Sequence, residues 1–228
     1  GSNHPSTYSI NCINDNRNTW ISYEYCDNWK LWHGIREILQ NQRDEIVSQI
    51  GLDNTKFIPV VPLPQGDSPS PITDYIIYKN KECEQIPENI VGKITYRRDG
   101  NGTLSIENKG NLETGNLVLG GFKDKNDASI IGRFGEGMKL AALAITRENG
   151  KHIYIYTSGN IWRFGMKVDK FFKNGTIYRN CLFFRSEPNP KANDEKYKDK
   201  VVVEISGISL DEWLKYIDNF LWLTTKIG

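Results

Sequence analysis

Between Leu31 and Ile50 the chain carries two stripes at helical spacing. Leu31, Ile35, Ile38, Leu39, Ile46 and Ile50 recur at steps of three and four or their sums, which predicts an amphipathic helix over 31–50 with one apolar face turned to a core. Gly51 follows as its stop. A second stripe, Glu37, Asn41, Asp44 and Ser48, is spaced by four, three and four, so these polar side chains share one face. Two readings of that stripe stand side by side. One is a solvated helix face, the ordinary fate of such residues. In the other, a carboxylate and an amide are aimed at a cation and a water molecule: a carboxylate serves as a general base, and an amide oxygen is a hard ligand suited to magnesium.

A second segment bears on the choice. In Ile131-Gly-Arg-Phe-Gly-Glu-Gly-Met-Lys139, glycines at 132, 135 and 137 run straight into an Ala- and Leu-rich helix expected over Met138 to Arg147 and closed by Asn149-Gly150. Glycine lets backbone approach a ligand closely, and a helix N-terminus offers free N–H donors and a positive dipole end to phosphate. The alternative is a hinge packed on a helix. The run is neither a Walker loop nor a dinucleotide fingerprint, because G-x-x-x-x-G-K-[ST] and a strand-borne G-x-G-x-x-G are both absent. A third segment, Ile106-Glu-Asn-Lys-Gly110, leaves a strand with a polar side chain and a glycine, an arrangement able to meet a base edge but also an ordinary strand-ending turn.

The remaining pattern supplies a frame. Ile94–Arg97 and Thr103–Ile106 flank Asp99-Gly-Asn-Gly102, a hairpin signal. Short strands are expected at 20–25, 75–78, 153–157, 161–168, 176–178, 181–185 and 201–205, with a turn at Ser158-Gly159-Asn160 and a loop over 186–200. Ser209-Leu-Asp-Glu212 fits the S-x-x-E capping box and opens a last helix reaching to about Leu223. Residues 57–73 hold five prolines and read as a loop; the Pro59-Val-Val-Pro62 within it reads as part of that loop rather than as a docking motif. Residues 1–18, rich in Asn and opening on a Gly1-Ser2 that reads as a cloning scar, are expected to be flexible, leaving 19–228 as one domain. The order predicts an α+β chain: a two-layer sandwich, with a mostly antiparallel sheet and helices on one face.

Composition excludes several classes. No stretch approaches 18 consecutive apolar residues, so no membrane span is expected. The net charge of +1 carries no footprint of a nucleic-acid partner. Cys12, Cys26, Cys83 and Cys181 form no C-x-x-C pair and the three histidines are dispersed, which argues against a zinc or redox site. Reduced thiols and an intracellular setting, cytoplasmic or nuclear, are expected, with a Cys12–Cys26 pair open only to a secreted chain. Asn101-Gly-Thr and Asn174-Gly-Thr match the glycosylation sequon and are equally turn chemistry.

Taken in order, the three polar segments resemble the GHKL ATPase superfamily: gyrase B-type topoisomerases, heat-shock-type chaperones, MutL repair proteins and sensor histidine kinases. Glu37, Asn41 and Asp44 match the helix motif E-x-x-x-N-x-x-D, and Gly132-Arg-Phe-Gly-Glu-Gly137 is close to the G-x-F-G-x-G form of the second glycine box. The motifs span about residues 30 to 145. The resemblance implies a Bergerat-type sandwich that binds ATP or ADP with magnesium. It implies Glu37 as the general base that orients water, Asn41 as the magnesium ligand and Asp44 in the same polar network. Gly132, Phe134, Gly135, Glu136, Gly137, Met138 and Lys139 would wrap the phosphates. Asn108 and Gly110 would meet the adenine, and 113–131, with Lys123 and Lys125, would form the lid.

The chain departs from the family at several points. The first glycine box usually reads D-x-G-x-G; here Asn108 stands for the Asp and Leu112 for the second glycine. An amide oxygen still accepts a hydrogen bond from the adenine amino group, without the charge. Glu107 is expected on the other strand face. Glu45 follows the helix Asp in place of Ala, and Asp199-Lys200 stands where a Gly-Thr often precedes the last strand. The expected activity is slow ATP hydrolysis that switches further domains or a protein client, in a domain monomeric alone and open to ATP-dependent dimerisation. The alternative is a nucleotide-dependent interaction module with little or no hydrolysis. A sensor kinase would need an acceptor histidine, and His33 beside Trp32 reads as a packing residue.

Overall fold

A computed structural model of the chain describes residues 15–50, 72–79, 87–110, 136–172 and 175–217. The elements are β1 (Asp15–Ser22), α1 (Leu31–Ile50), β2 (Ile72–Tyr78), a 3-10 turn (Pro87–Asn89), β3 (Ile90–Arg97), β4 (Thr103–Lys109), α2 (Glu136–Thr146), β5 (His152–Thr157), β6 (Asn160–Phe172), β7 (Thr176–Pro188), β8 (Lys200–Ser206) and α3 (Leu210–Ile217). The strands form one eight-stranded sheet in the order β1-β7-β6-β5-β8-β4-β3-β2. Neighbouring strands run antiparallel throughout. The chain is α+β, with its helices on one face of that sheet.

Alternation along the central strands explains the layering. On β4, Leu104, Ile106 and Asn108 are buried while Thr103, Ser105 and Glu107 are not, as a strand with one covered face requires. Ile94, Ile153, Ile155, Val203 and Ile205 join Leu104 and Ile106 on that face and meet Leu31, Ile35, Ile38 and Leu39 of α1 and Met138, Ala141 and Leu143 of α2. α3 caps the same core through Trp213, stacked on Tyr96 with ring centroids 5.7 Å apart and edge-on to Tyr75 at 6.2 Å. The Tyr96 hydroxyl donates to the Ile208 carbonyl at 2.7 Å, which fixes the entry to α3. The capping box forms in both directions: Glu212 N–H donates to Ser209 Oγ (3.1 Å), and Ser209 N–H to Glu212 Oε1 (3.2 Å).

The β3–β4 hairpin turns through Asp99-Gly-Asn-Gly102. Gly102 has φ 78°, and a Cβ there would come within 2.8 Å of the Ile208 carbonyl carbon, so only glycine fits. At the next hairpin, Ser158 and Gly159 both take positive φ between the paired Thr157 and Asn160, the two-residue turn whose twist matches the strands.

Several boundaries differ from the sequence reading. β1 begins at Asp15, inside the segment expected to be flexible; pairing with β7 supplies the order that its polar composition does not announce. The expected runs 176–178 and 181–185 are one strand reaching Pro188, into the expected loop, and β6 continues past Val168 to Phe172. β2 starts at Ile72, within the proline-rich stretch, and α2 starts at Glu136. The rest of the proline-rich loop, the segment 113–131 and the expected continuation of α3 to Leu223 lie outside the described residues. Among the described residues no helix is long and apolar enough to cross a membrane.

Candidate functional site

α1 and α2 cross closely because α1 carries a glycine where they meet: a Cβ on Gly34 would lie 3.0 Å from the Ala141 carbonyl oxygen. One turn further along α1, the Glu37 side chain reaches the start of α2 and lies against Gly137. A Cβ built on Gly137 would meet the Glu37 carboxylate, with Cδ at 2.7 Å and Cγ at 3.2 Å. The last glycine of the box is thus the residue whose missing side chain makes room for the carboxylate of the helix motif. That carboxylate sits at the positive end of α2, which favours negative charge. Met138, the next residue, turns into the core and is 1% exposed; Lys139 is half-buried beside it.

Asn41 lies one turn past Glu37 on the same face and is half-buried. Asp44 is exposed and takes its hydrogen bond from Gln40 Nε2 at 2.8 Å, within its own helix. Its partner is thus a neighbour one turn back on α1. Glu45 is half-buried; burial pushes its carboxyl up, against a hydrogen bond from Gln49.

Asn108 is on the helix-facing side of β4 and 3% exposed, between Gly92 and Val201 on the flanking strands. Its amide Nδ2 donates to the Lys109 carbonyl at 3.2 Å. Gly110 follows, its N–H held by the Asp199 carbonyl at 3.0 Å. Glu107 faces the opposite side, as the alternation requires. Burial raises its carboxyl above the usual range; Lys200, with Nζ at 3.8 Å, and Lys93 oppose that shift. A cleft of about 620 Å³ opens at this end of the sheet, lined among others by Lys93, Glu107, Asn108, Lys109, Lys198 and Lys200.

Two residues absent from the sequence reading tie these parts together. Gln42 is 1% exposed, and its Nε2 donates to the carbonyls of Glu107 (2.6 Å) and Lys93 (3.3 Å). Gln49 Nε2 donates to the Lys109 carbonyl at 2.7 Å. α1 therefore clamps β4 on both sides of Asn108. Their separation of seven residues, two helical turns, is the signal available in the sequence, but glutamine at such spacing is also ordinary on a solvated face.

Among the expected site residues, Lys123, Lys125, Gly132, Phe134 and Gly135 lie outside the described residues, and of Glu136 only the backbone is described. Among the described residues no group of three or more His, Cys, Asp or Glu is placed to hold a metal by itself. No protein-family model, no curated protein and no solved structure matches the chain.

Proposed function

We propose that the chain binds magnesium-ATP in the space bounded by α1, the start of α2 and the Asn108 end of β4. It hydrolyses the nucleotide slowly, as a GHKL-type switch for further domains or a protein client. The single observation that carries the reading is the seating of Glu37 against Gly137. Two motifs separated by a hundred positions meet atom to atom, at the helix end where a phosphate would be received. A fully solvated helix face would leave Glu37 in water, whereas here the carboxylate lies against the start of α2.

Each residue then has a task. Glu37 accepts the proton of a water molecule in line with the terminal phosphate. Backbone N–H groups at the start of α2 receive phosphate oxygens. Asn108 accepts from the adenine amino group inside the layer between helices and sheet. Asn41 offers one amide oxygen, which fits magnesium in a site completed by phosphate oxygens and water rather than by a protein cage. When bound, the ion would offset phosphate charge. Gln42 and Gln49 keep α1 and β4 at a fixed separation, so the groups for phosphate and for adenine are held together.

The test is steady-state phosphate release from the chain and from Glu37→Ala, with binding of ATP and a non-hydrolysable analogue titrated in parallel. Binding together with release that drops in the variant is the expected result; equal release from both sinks the assignment of Glu37. A second reading, a nucleotide-dependent interaction module with little hydrolysis, is favoured by the engagement of Asp44 with Gln40 within α1. Binding without turnover would select it. Binding of neither ligand, with or without magnesium, overturns both.

A further inference from the structure

Beyond the nucleotide site, β6 and β7 continue past the rest of the sheet. β5 pairs with β6 only as far as Arg163, and β1 pairs with β7 only as far as Cys181, followed by one bond from Tyr23 N–H to the Asn180 carbonyl. From there Asp169–Phe172 and Thr176–Arg179 pair with each other in register, four residue pairs forming a two-stranded ribbon that extends about 14 Å. A two-stranded ribbon is marginal in water by itself, yet this one exposes apolar side chains on both faces. Val168 at its base and Tyr178 are 59% and 61% exposed on one face, and Ile177 is 45% exposed on the other. Lys170 lies opposite Tyr178 with Nζ 5.7 Å from the ring centroid, and Lys167 stands at the base beside Phe183. Across residues 166–180 cations outnumber acids four to one, in a chain whose net charge is only +1.

We propose that this arm binds single-stranded nucleic acid. A narrow projecting ribbon with apolar groups on both faces is not covered by a flat protein surface; it fits between groups that splay around it. Tyr178 and Lys170 present a stacking face and an ammonium together, the pairing that takes an unstacked base and its phosphate. The excess of cations matches a polyanion. The balanced charge of the whole chain hides this because acids elsewhere offset the arm.

The test is fluorescence anisotropy of the full chain with a labelled single-stranded oligonucleotide at about 50 mM salt and upward. A duplex, heparin and polyglutamate serve as competitors. The expected result is binding to the single strand, weakened about fivefold or more by Tyr178→Ala, the loss of one stacked base. Lys170→Gln should lower the salt slope by about 0.7, one phosphate contact. Both positions are exposed, so melting temperatures close to that of the parent chain verify folding. No binding at low salt, binding indifferent to both variants, or displacement by heparin or polyglutamate as effective as by the single strand overturns the proposal; polyglutamate would point to an acidic protein. Arm-dependent dimerisation in light scattering, without oligonucleotide binding, overturns it in favour of a second copy. Since Tyr178 and Lys170 make no contact with Glu37, Gly137 or Asn108, failure here leaves the nucleotide reading standing, and the reverse also holds.

Discussion

The carboxylate of Glu37 occupies the space that any side chain at Gly137 would need, with Cδ 2.7 Å from the position of a Cβ there. Gly137→Ala therefore displaces Glu37 without touching the α1–α2 crossing at Gly34. Gly137 stands in the first turn of α2 and does not take a positive φ, so alanine suits its backbone and the variant should stay folded. Phosphate release is expected to fall as far as it does in Glu37→Ala, roughly 10²- to 10⁴-fold for loss of a general base. The double variant Glu37→Ala/Gly137→Ala removes the collision and should melt above Gly137→Ala alone. If Gly137→Ala hydrolyses ATP like the parent chain, the carboxylate is not held there for catalysis.

Gln42 is the buried link between the helix and strand that carry the site, and its loss should be felt in stability first. Gln42→Ala leaves the carbonyls of Glu107 and Lys93 without their side-chain donor, at a cost of about 1–3 kcal/mol. Gln42→Glu is the sharper probe. Its carboxylate would face two carbonyl oxygens at neutral pH, and its protonated form would donate again, so the variant should regain stability on acidification. Urea unfolding at neutral and acidic pH decides; a variant whose deficit is the same at both pH values would show that the contact is not a hydrogen bond that matters.

These two residues also mark how far the sequence could be read. α1 was legible to both ends because six apolar residues keep helical spacing, and Leu31, Ile35, Ile38, Leu39 and Ile46 are all buried beneath it. The α3 capping box and the β3–β4 hairpin were legible because their chemistry is local. β1 was legible only in part: the strand expected at 20–25 overlaps its end at Trp20–Ser22 and gives way to a turn at Tyr23, while Asp15-Asn16-Arg17-Asn18, ordered by backbone pairing with β7, carries no alternation to announce it. The full lengths of β6 and β7 were missed for the related reason that lysines and aspartate interrupt the apolar pattern where the ribbon leaves the core. In the site, Glu37 and Gly137 could each be singled out by spacing, but their contact depends on a helix crossing that spacing does not encode. Gln42 sits between Asn41 and Asp44 and points to the sheet, while the polar stripe it interrupts points elsewhere.

Arg147 governs a region that the motifs do not touch. Its guanidinium donates to the carbonyls of Tyr23 (3.1 Å), Tyr25 (2.9 Å) and Cys26 (2.7 Å), and also to that of Trp29, and so holds the turns between β1 and α1. A planar fork satisfies several acceptors at once; an ammonium does not. Arg147→Lys should cost about 2–3 kcal/mol, with faster amide exchange confined to residues 23–30. Exchange unchanged in that segment would mean the turns hold themselves.

The start of α1 predicts a pH dependence with a definite sign. Lys30 precedes the first helical residue, and its N–H donates to His33 Nδ1 at 2.9 Å. His33 thus does for this helix what the third-residue Glu or Gln does in a capping box. Its ring stacks on Trp32, with centroids 3.8 Å apart. Burial, then the charges of Arg36 and Lys30, hold its pKa below the ordinary histidine value. Protonation removes the acceptor and places a cation at the positive end of the helix. The unfolded chain therefore takes up the proton first as pH falls from about 6.5, the ordinary histidine value. The stabilisation, complete above that value, is lost as pH falls through the lowered folded value. Glu107 and Glu45, whose pKa values are raised by burial, act with the opposite sign, so the parent chain alone does not isolate the effect. His33→Asn does, because the asparagine oxygen still accepts from Lys30 and does not titrate. Urea midpoints of the two chains should run parallel above pH 7 and separate below about 6.5, with the parent chain losing more. Midpoints that stay parallel to pH 5 would remove His33 from the cap.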